Sequence, residues 1–255
     1  MNPAEVSHVV SGQLSLESFE VEFEDPVTGT QRGPLGLLWN ARFERMSPVR
    51  SFPRFKGQTN MPGERFSASA GRLVGHESQL EKAHAMLLDF DPLVSTYSSQ
   101  PFRLHWVALE ARPRKHTPDF FARLVDDTAV VVDVRPDDRI PQRDAEAFAA
   151  TARACSLAGW EYRRVGNPDP VFCANVRWLA GYRRRFNCNQ EYVERAAEVF
   201  VEARPLFEGA CEIADKVRVL PTLYHLMWRH VLTADLHSSP LGPSSMVALC
   251  RRAAA

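Results

Sequence analysis

Asp119, Asp133 and Arg135 fall within one stretch, HTPDFFARLVDDTAVVVDVR, from His116 to Arg135. Pro118-Asp119 precedes a first apolar run, and Asp133-Val134-Arg135 closes a second, AVVVDV. Two carboxylates on neighbouring strands can share a hard divalent cation through oxygen ligands. A cation two residues beyond the second acid lies on the same strand face, because side chains alternate along a strand. There it can steady a phosphate or an attacking water, which is the chemistry of phosphodiester hydrolysis. An acid inside AVVVDV is costly to bury unless it is paired or bound to metal. Arg135 holds phosphate oxygens bidentately, but it is harder to deprotonate than lysine and so is a poorer partner for a general base.

Such a site needs a further acid, and Glu81 is the candidate. From Glu77 onward Leu80, Ala83, Leu87 and Leu88 recur at helical spacing. Ser78-Gln79-Leu80-Glu81 also fits a capping box, in which the glutamate bonds the helix start. Cap and ligand are both open readings of Glu81, and Glu77, one turn away, is the fallback acid. Gln100, in SSQPF, and His116 are candidate accessory residues, and His84 can flank the site. Lys115 and Lys82 are alternative cations. Arg183-Arg184-Arg185 reads first as a solvated run and second as a phosphate contact.

The elements that must position these groups follow from punctuation and period. Asp91-Pro92 ends the first helix. Val94 to Leu109 reads as two strands around Gln100-Pro101, and Arg112 to Lys115 as a basic turn. Phe120–Leu124 and Ala129–Val134 are strands joined at Asp126-Asp127. Arg143 to Leu157 is an alanine-rich helix stopped by Gly159, and Trp160 to Val165 a further strand. This predicts an α/β nuclease-like domain over residues 71–168. Residues 1–70 read as an irregular N-terminal segment with a possible hairpin at Phe19–Phe23. Residues 169–255, beyond Asn167-Pro168-Asp169-Pro170, read as a mainly helical C-terminal domain.

Formal net charge is zero, from 31 basic and 31 acidic residues, so any nucleic-acid surface must be local. The opening residues lack a basic, apolar leader and no run matches a membrane span, so no membrane partner is expected. Five widely spaced cysteines form no zinc pattern and fit a reduced cytoplasm. No glycine-rich loop follows a strand, which argues against a nucleotide binder.

The layout of acid, spacer, strand and acid-x-cation is that of PD-(D/E)xK nucleases, with Arg135 where lysine is expected. Across about 90 residues the chain resembles the TnsA-like endonuclease subunits of heteromeric transposases. The resemblance runs through EKAHAMLLDFDPLVSTYSSQPF, HTPDFFARL, VVVDVRP and GWEYRRVG. The flanking stretches SFPRFKGQTNMPG and VRWLAGYRRR are similar to actinobacterial members. The resemblance implies a restriction-endonuclease-like core, a mixed sheet flanked by helices, with a possible winged-helix-like C-terminal region. It implies Mg2+ (or Mn2+) held by Glu81, Asp119 and Asp133, with Arg135 at the family's catalytic lysine. It also implies nicking of one DNA strand at transposon ends, beside an integrase-type transposase, with an AAA+ regulator as a further candidate partner. The alternative is a catalytically weak DNA-binding scaffold subunit that keeps the fold.

Overall fold

The computed structural model describes residues 15–51, 61–107, 112–136 and 140–250. The chain divides into two compact units, one of residues 1–89 and 93–167, the other of 90–92 and 168–255. Most of SFPRFKGQTNMPG, residues 51–63, lies outside the described residues.

The first unit is a mixed α/β arrangement. Its strands are β1 (Phe19–Asp25), β2 (Gly29–Pro34), β3 (Gly63–Phe66), β4 (Leu73–His76), β5 (Val94–Ser99), β6 (Arg103–Val107), β7 (Pro113–His116), β8 (Phe120–Leu124), β9 (Ala129–Val134) and β10 (Glu161–Val165). One sheet has the order β2-β1-β6-β7 and another β10-β9-β8-β5, while β3 and β4 form a hairpin. In the second sheet β5, β8 and β9 are successively antiparallel and β10 is parallel to β9. With the helices Gln79–Phe90 and Gln142–Ala158, the chain order is helix, three strands of this sheet, helix, strand.

The strand β9 is apolar on both faces because both are covered. Val131 packs with Phe121, Trp160 and the small residues Ala150, Ala154 and Ala158 of the second helix. Val130 and Val132 pack with Tyr97, Phe120 and Ala85 of the first. Gly159 ends the second helix with a φ of 72°, a left-handed conformation that glycine adopts without the Cβ clash.

The possible hairpin at Phe19–Phe23 is present as β1 and β2, and the described residues around it are not an irregular segment apart from the core. Phe19, Val21 and Phe23 alternate inward from β1 into the core shared with Phe102 and Phe121, and β1 pairs with β6. The long-range pairing of β1 has no local signal. The basic turn expected at Arg112–Lys115 is instead largely the strand β7, which continues the first sheet beside β6. Its alternation of exposed and half-buried residues masks a strand signal.

The second unit is mainly helical, with helices at Pro170–Ala180, Gln190–Val199, Leu206–Ile213 and Lys216–Trp228. The strands β11 (Arg204–Pro205), β12 (Leu232–Ala234) and β13 (Met246–Leu249) form a sheet of order β11-β13-β12. Asn175 fastens the loop between β12 and β13. Its amide nitrogen donates to the carbonyls of Leu236 and Ser239, and its oxygen accepts from the Leu241 N–H. The Lys216–Trp228 helix is buried along its whole C-terminal half, from Thr222 to Trp228. Among the described residues no helix is long and apolar enough to cross a membrane.

Candidate functional site

The β8–β9 hairpin sets the geometry. Phe120 faces Val132 and Phe121 faces Val131. One more step of that register puts Asp119 opposite Asp133, and directly opposed antiparallel residues point to one face. The Asp119 Oδ2 accepts from the Val134 N–H at 2.7 Å. Asp119 is also gripped from behind, since the Gln100 N–H donates to its carbonyl at 2.9 Å.

Asp133 is 1% exposed. Its Oδ1 lies 2.8 Å from Nε2 of His116, and its Oδ2 accepts from the Tyr162 hydroxyl at 2.8 Å. Burial, and then the Asp133 charge, push the Tyr162 hydroxyl well above the usual phenol range, so it stays a donor. Asp119 is likewise held well above the ordinary carboxylate range. Burial is the first cause and the charges of Glu81 and Asp133 the next.

Glu81 plays the capping role. The Glu81 N–H donates to the Ser78 hydroxyl at 3.1 Å, that hydroxyl donates to Glu81 Oε1 at 2.9 Å, and the Glu77 N–H donates to Oε2 at 2.6 Å. Burial is the main cause raising its pKa. Glu77 accepts from the Gln100 side chain at 2.9 Å and pairs with Arg50 at 2.9 Å. Gln100 is 2% exposed and has a φ of 47°, a strained value for a residue with a side chain. Its backbone holds Asp119 and its side chain holds Glu77, which makes it a positioning residue.

Four acids, Glu77, Glu81, Asp119 and Asp133, line a cleft of about 650 Å3. Arg50, Arg103, Lys115, Arg135 and Arg143 line the same cleft, with His116. Arg135 shares the cleft with Asp133, as strand alternation requires, but its guanidinium is paired with Asp144. Lys115 and Arg143 have no ion pair among the described residues. His84 does not line the cleft and bonds the Gly166 carbonyl instead. Lys82 is not among the lining residues either.

The donor set suits a hard cation: carboxylate oxygens, crowded so that Asp119 resists ionisation, without a thiolate among them. Glu81, Asp119 and Asp133 line that one cleft, and the Glu81 and Asp133 charges act on Asp119. Among the described residues no three His, Cys, Asp or Glu side chains stand as a metal-holding group. Both oxygens of Glu81 accept hydrogen bonds at the helix start.

Sequence reasoning missed Tyr162 and Asp144. Tyr162 faces Val131 in the parallel β9–β10 register. Its signal was only the alternation of WEYRRV, which does not say which strand lies beside it. Asp144 sits in the first turn of the Gln142–Ala158 helix, where an acid also suits the helix dipole. Compared with models of known protein families and with curated proteins, the chain matches none.

Proposed function

We propose that this chain is a metal-dependent DNA endonuclease of the PD-(D/E)xK type, a TnsA-like subunit that nicks one strand at transposon ends. The observation that carries the reading is the facing pair Asp119 and Asp133 on one hairpin, in a cleft that five cations share. The helix, three strands, helix and strand around it agree with a restriction-endonuclease-like core. A bound Mg2+ or Mn2+ would offset charge on the scissile phosphate and lower the pKa of a water. Asp119 and Asp133 would hold it, with Glu81 or Glu77 as the third acid once released from its present partners. In hydrolysis a water oxygen bonds to phosphorus, the phosphorus–oxygen ester bond breaks, and a proton ends on the leaving oxygen. Lys115, Arg143 and Arg135 bind phosphate oxygens, and His116 and Tyr162 fix the orientation of Asp133.

A second reading, a catalytically weak scaffold subunit that binds DNA, has its own support. Arg135 stands where lysine is expected and is already paired with Asp144. The test is nicking of supercoiled plasmid in Mg2+ or Mn2+, alone and with an integrase-type transposase. Under the first reading Asp119→Ala and Asp133→Ala abolish nicking in a folded protein, Asp119→Ala melting near wild type and Asp133→Ala losing about 1–2 kcal/mol with its Tyr162 bond. Under the second, wild type binds plasmid but does not nick it in either metal, with or without the transposase. If both alanine variants melt far below wild type, the acids are structural and the nuclease reading fails.

A further inference from the structure

We propose that the second unit carries a binding face for single-stranded nucleic acid, made by Trp178, Tyr182, Phe186, Arg184, Arg185 and Arg218. This inference does not rest on the cleft of the first unit.

Twenty-one consecutive residues, Pro170 to Gln190, contain four arginines and no acid. Within them Trp178 is 53% exposed and Phe186 is 78% exposed. A large ring left in water is unusual, and two of them beside a basic run call for an explanation. Trp178 and Tyr182 have centroids 5.9 Å apart, and both rest on Tyr224, at 5.8 and 4.8 Å. Tyr224 is a buried buttress on the Lys216–Trp228 helix.

The same helix joins the two exposed rings into one surface. Arg218, Pro221 and Tyr224 follow one another at a spacing of three, so they share a helix stripe. Arg218 and Pro221 line a shallow groove with Phe186, Asn187 and Tyr192, while Tyr224 supports Trp178 and Tyr182. Arg184, Arg185 and Arg218 are exposed and have no ion pair among the described residues. Asp215, one turn from Arg218, is occupied by the helix start, where Oδ1 accepts from Val217 and Arg218. Asn187 lines the groove, and its Nδ2 is buried beneath it without a hydrogen-bond partner among the described residues.

The chemistry selects the ligand. Arginines without partners attract a polyanion. Exposed rings add affinity only where the polyanion offers flat faces, and unpaired bases do so. A duplex hides those faces in its own stack, and an acidic peptide lacks them.

The experiment uses the full chain in EDTA, with a fluorescein-labelled oligo(dT) of about 15 nucleotides and a blunt duplex of equal length, read by anisotropy. Wild type should bind the single strand more tightly than the duplex. Base stacking contributes about 1–3 kcal/mol per base, so Trp178→Ala or Phe186→Ala should each weaken oligo(dT) binding about fivefold or more. Arg184→Ala with Arg185→Ala should lower the salt slope by about 1.4, at about 0.7 per phosphate contact. Should Trp178→Ala melt early, Phe186→Ala alone carries the test, because that ring is almost wholly in solvent. The proposal is overturned if neither ring matters, if the duplex binds as well as the single strand, or if poly-glutamate displaces oligo(dT) as readily as unlabelled oligo(dT) does.

Discussion

Asp133 and Asn175 are both buried polar side chains, one in each unit, at 1% and 3% exposure. Their partners differ. Asn175 is neutral, and it uses its amide nitrogen and oxygen on three backbone groups of one loop. Nothing is left over for a ligand. Asp133 is an acid whose bonds come from two side chains, His116 and Tyr162, and it faces a second acid that burial and charge hold protonated above the usual range. A saturated neutral group stabilises a fold. Crowded acids in an open cleft weaken one, and their presence there points to a ligand.

The comparison is broken most directly at Asn175. Asn175→Ala should cost about 3 kcal/mol, because two carbonyls and one N–H lose their partner together. Urea unfolding checks it. A cost near zero would mean that water replaces the amide and that the asparagine is no anchor.

Tyr162→Phe should cost less, about 1–2 kcal/mol, since one buried carboxylate oxygen loses a donor. The same variant should slow nicking more than it lowers Tm, if the hydroxyl orients Asp133. Equal melting and equal nicking would remove Tyr162 from the site.

Asp119 should show the opposite sign to Asn175. Its folded pKa is raised, so the protonated form is the one the fold favours. Its contribution is present below the unfolded value of about 3.9 and is lost as pH rises through the folded value. Asp119→Asn should therefore gain Tm over wild type increasingly as pH goes from about 4 to 8. A gap that stays flat, or one that closes with rising pH, would show that Asp119 is not under that stress.

The smallest effect is expected at Asp144. The pair with Arg135 is part-exposed, so Asp144→Ala should change stability by less than about 1 kcal/mol. It should raise nicking if the pair withholds Arg135 from phosphate. Arg135→Lys separates the readings further: activity retained means the charge only positions phosphate, and activity above wild type means arginine had disabled water activation.

Much of the first unit was legible in the chain itself. β8 and β9 are where Phe120–Leu124 and Ala129–Val134 read as strands, because both are apolar runs bounded by turn residues. The Gln142–Ala158 helix and its glycine stop were readable for the same local reasons. What could not be read is what depends on distant partners. β7 is a strand because β6 lies beside it, although its own four residues, PRKH, look like a turn. The Leu206–Ile213 helix went unread because it is short and Gly209 interrupts its pattern. That glycine is needed where a Cβ would lie 2.4 Å from the Phe200 ring. In the site, Asp119, Asp133 and Arg135 were found by spacing. Two of their partners were not, since Tyr162 reaches Asp133 across the sheet and Asp144 reaches Arg135 from a helix.

The turn between β8 and β9 has a further consequence for how such a hairpin can vary. It closes with the Asp127 N–H on the Leu124 carbonyl, and Asp127 has a φ of 69°. With that turn as the fold line, Asp119 and Asp133 are mirror positions, and the distance between them in the chain acts as a ruler. Lengthening each arm by two residues moves the acids outward together and keeps them level and on the same face. Adding one residue to a single arm slips the register, and a one-residue slip turns one acid to the far face of the sheet. In this hairpin length is therefore quantised: insertions can come two to each arm across the fold line, and a lone insertion separates the two acids without touching either.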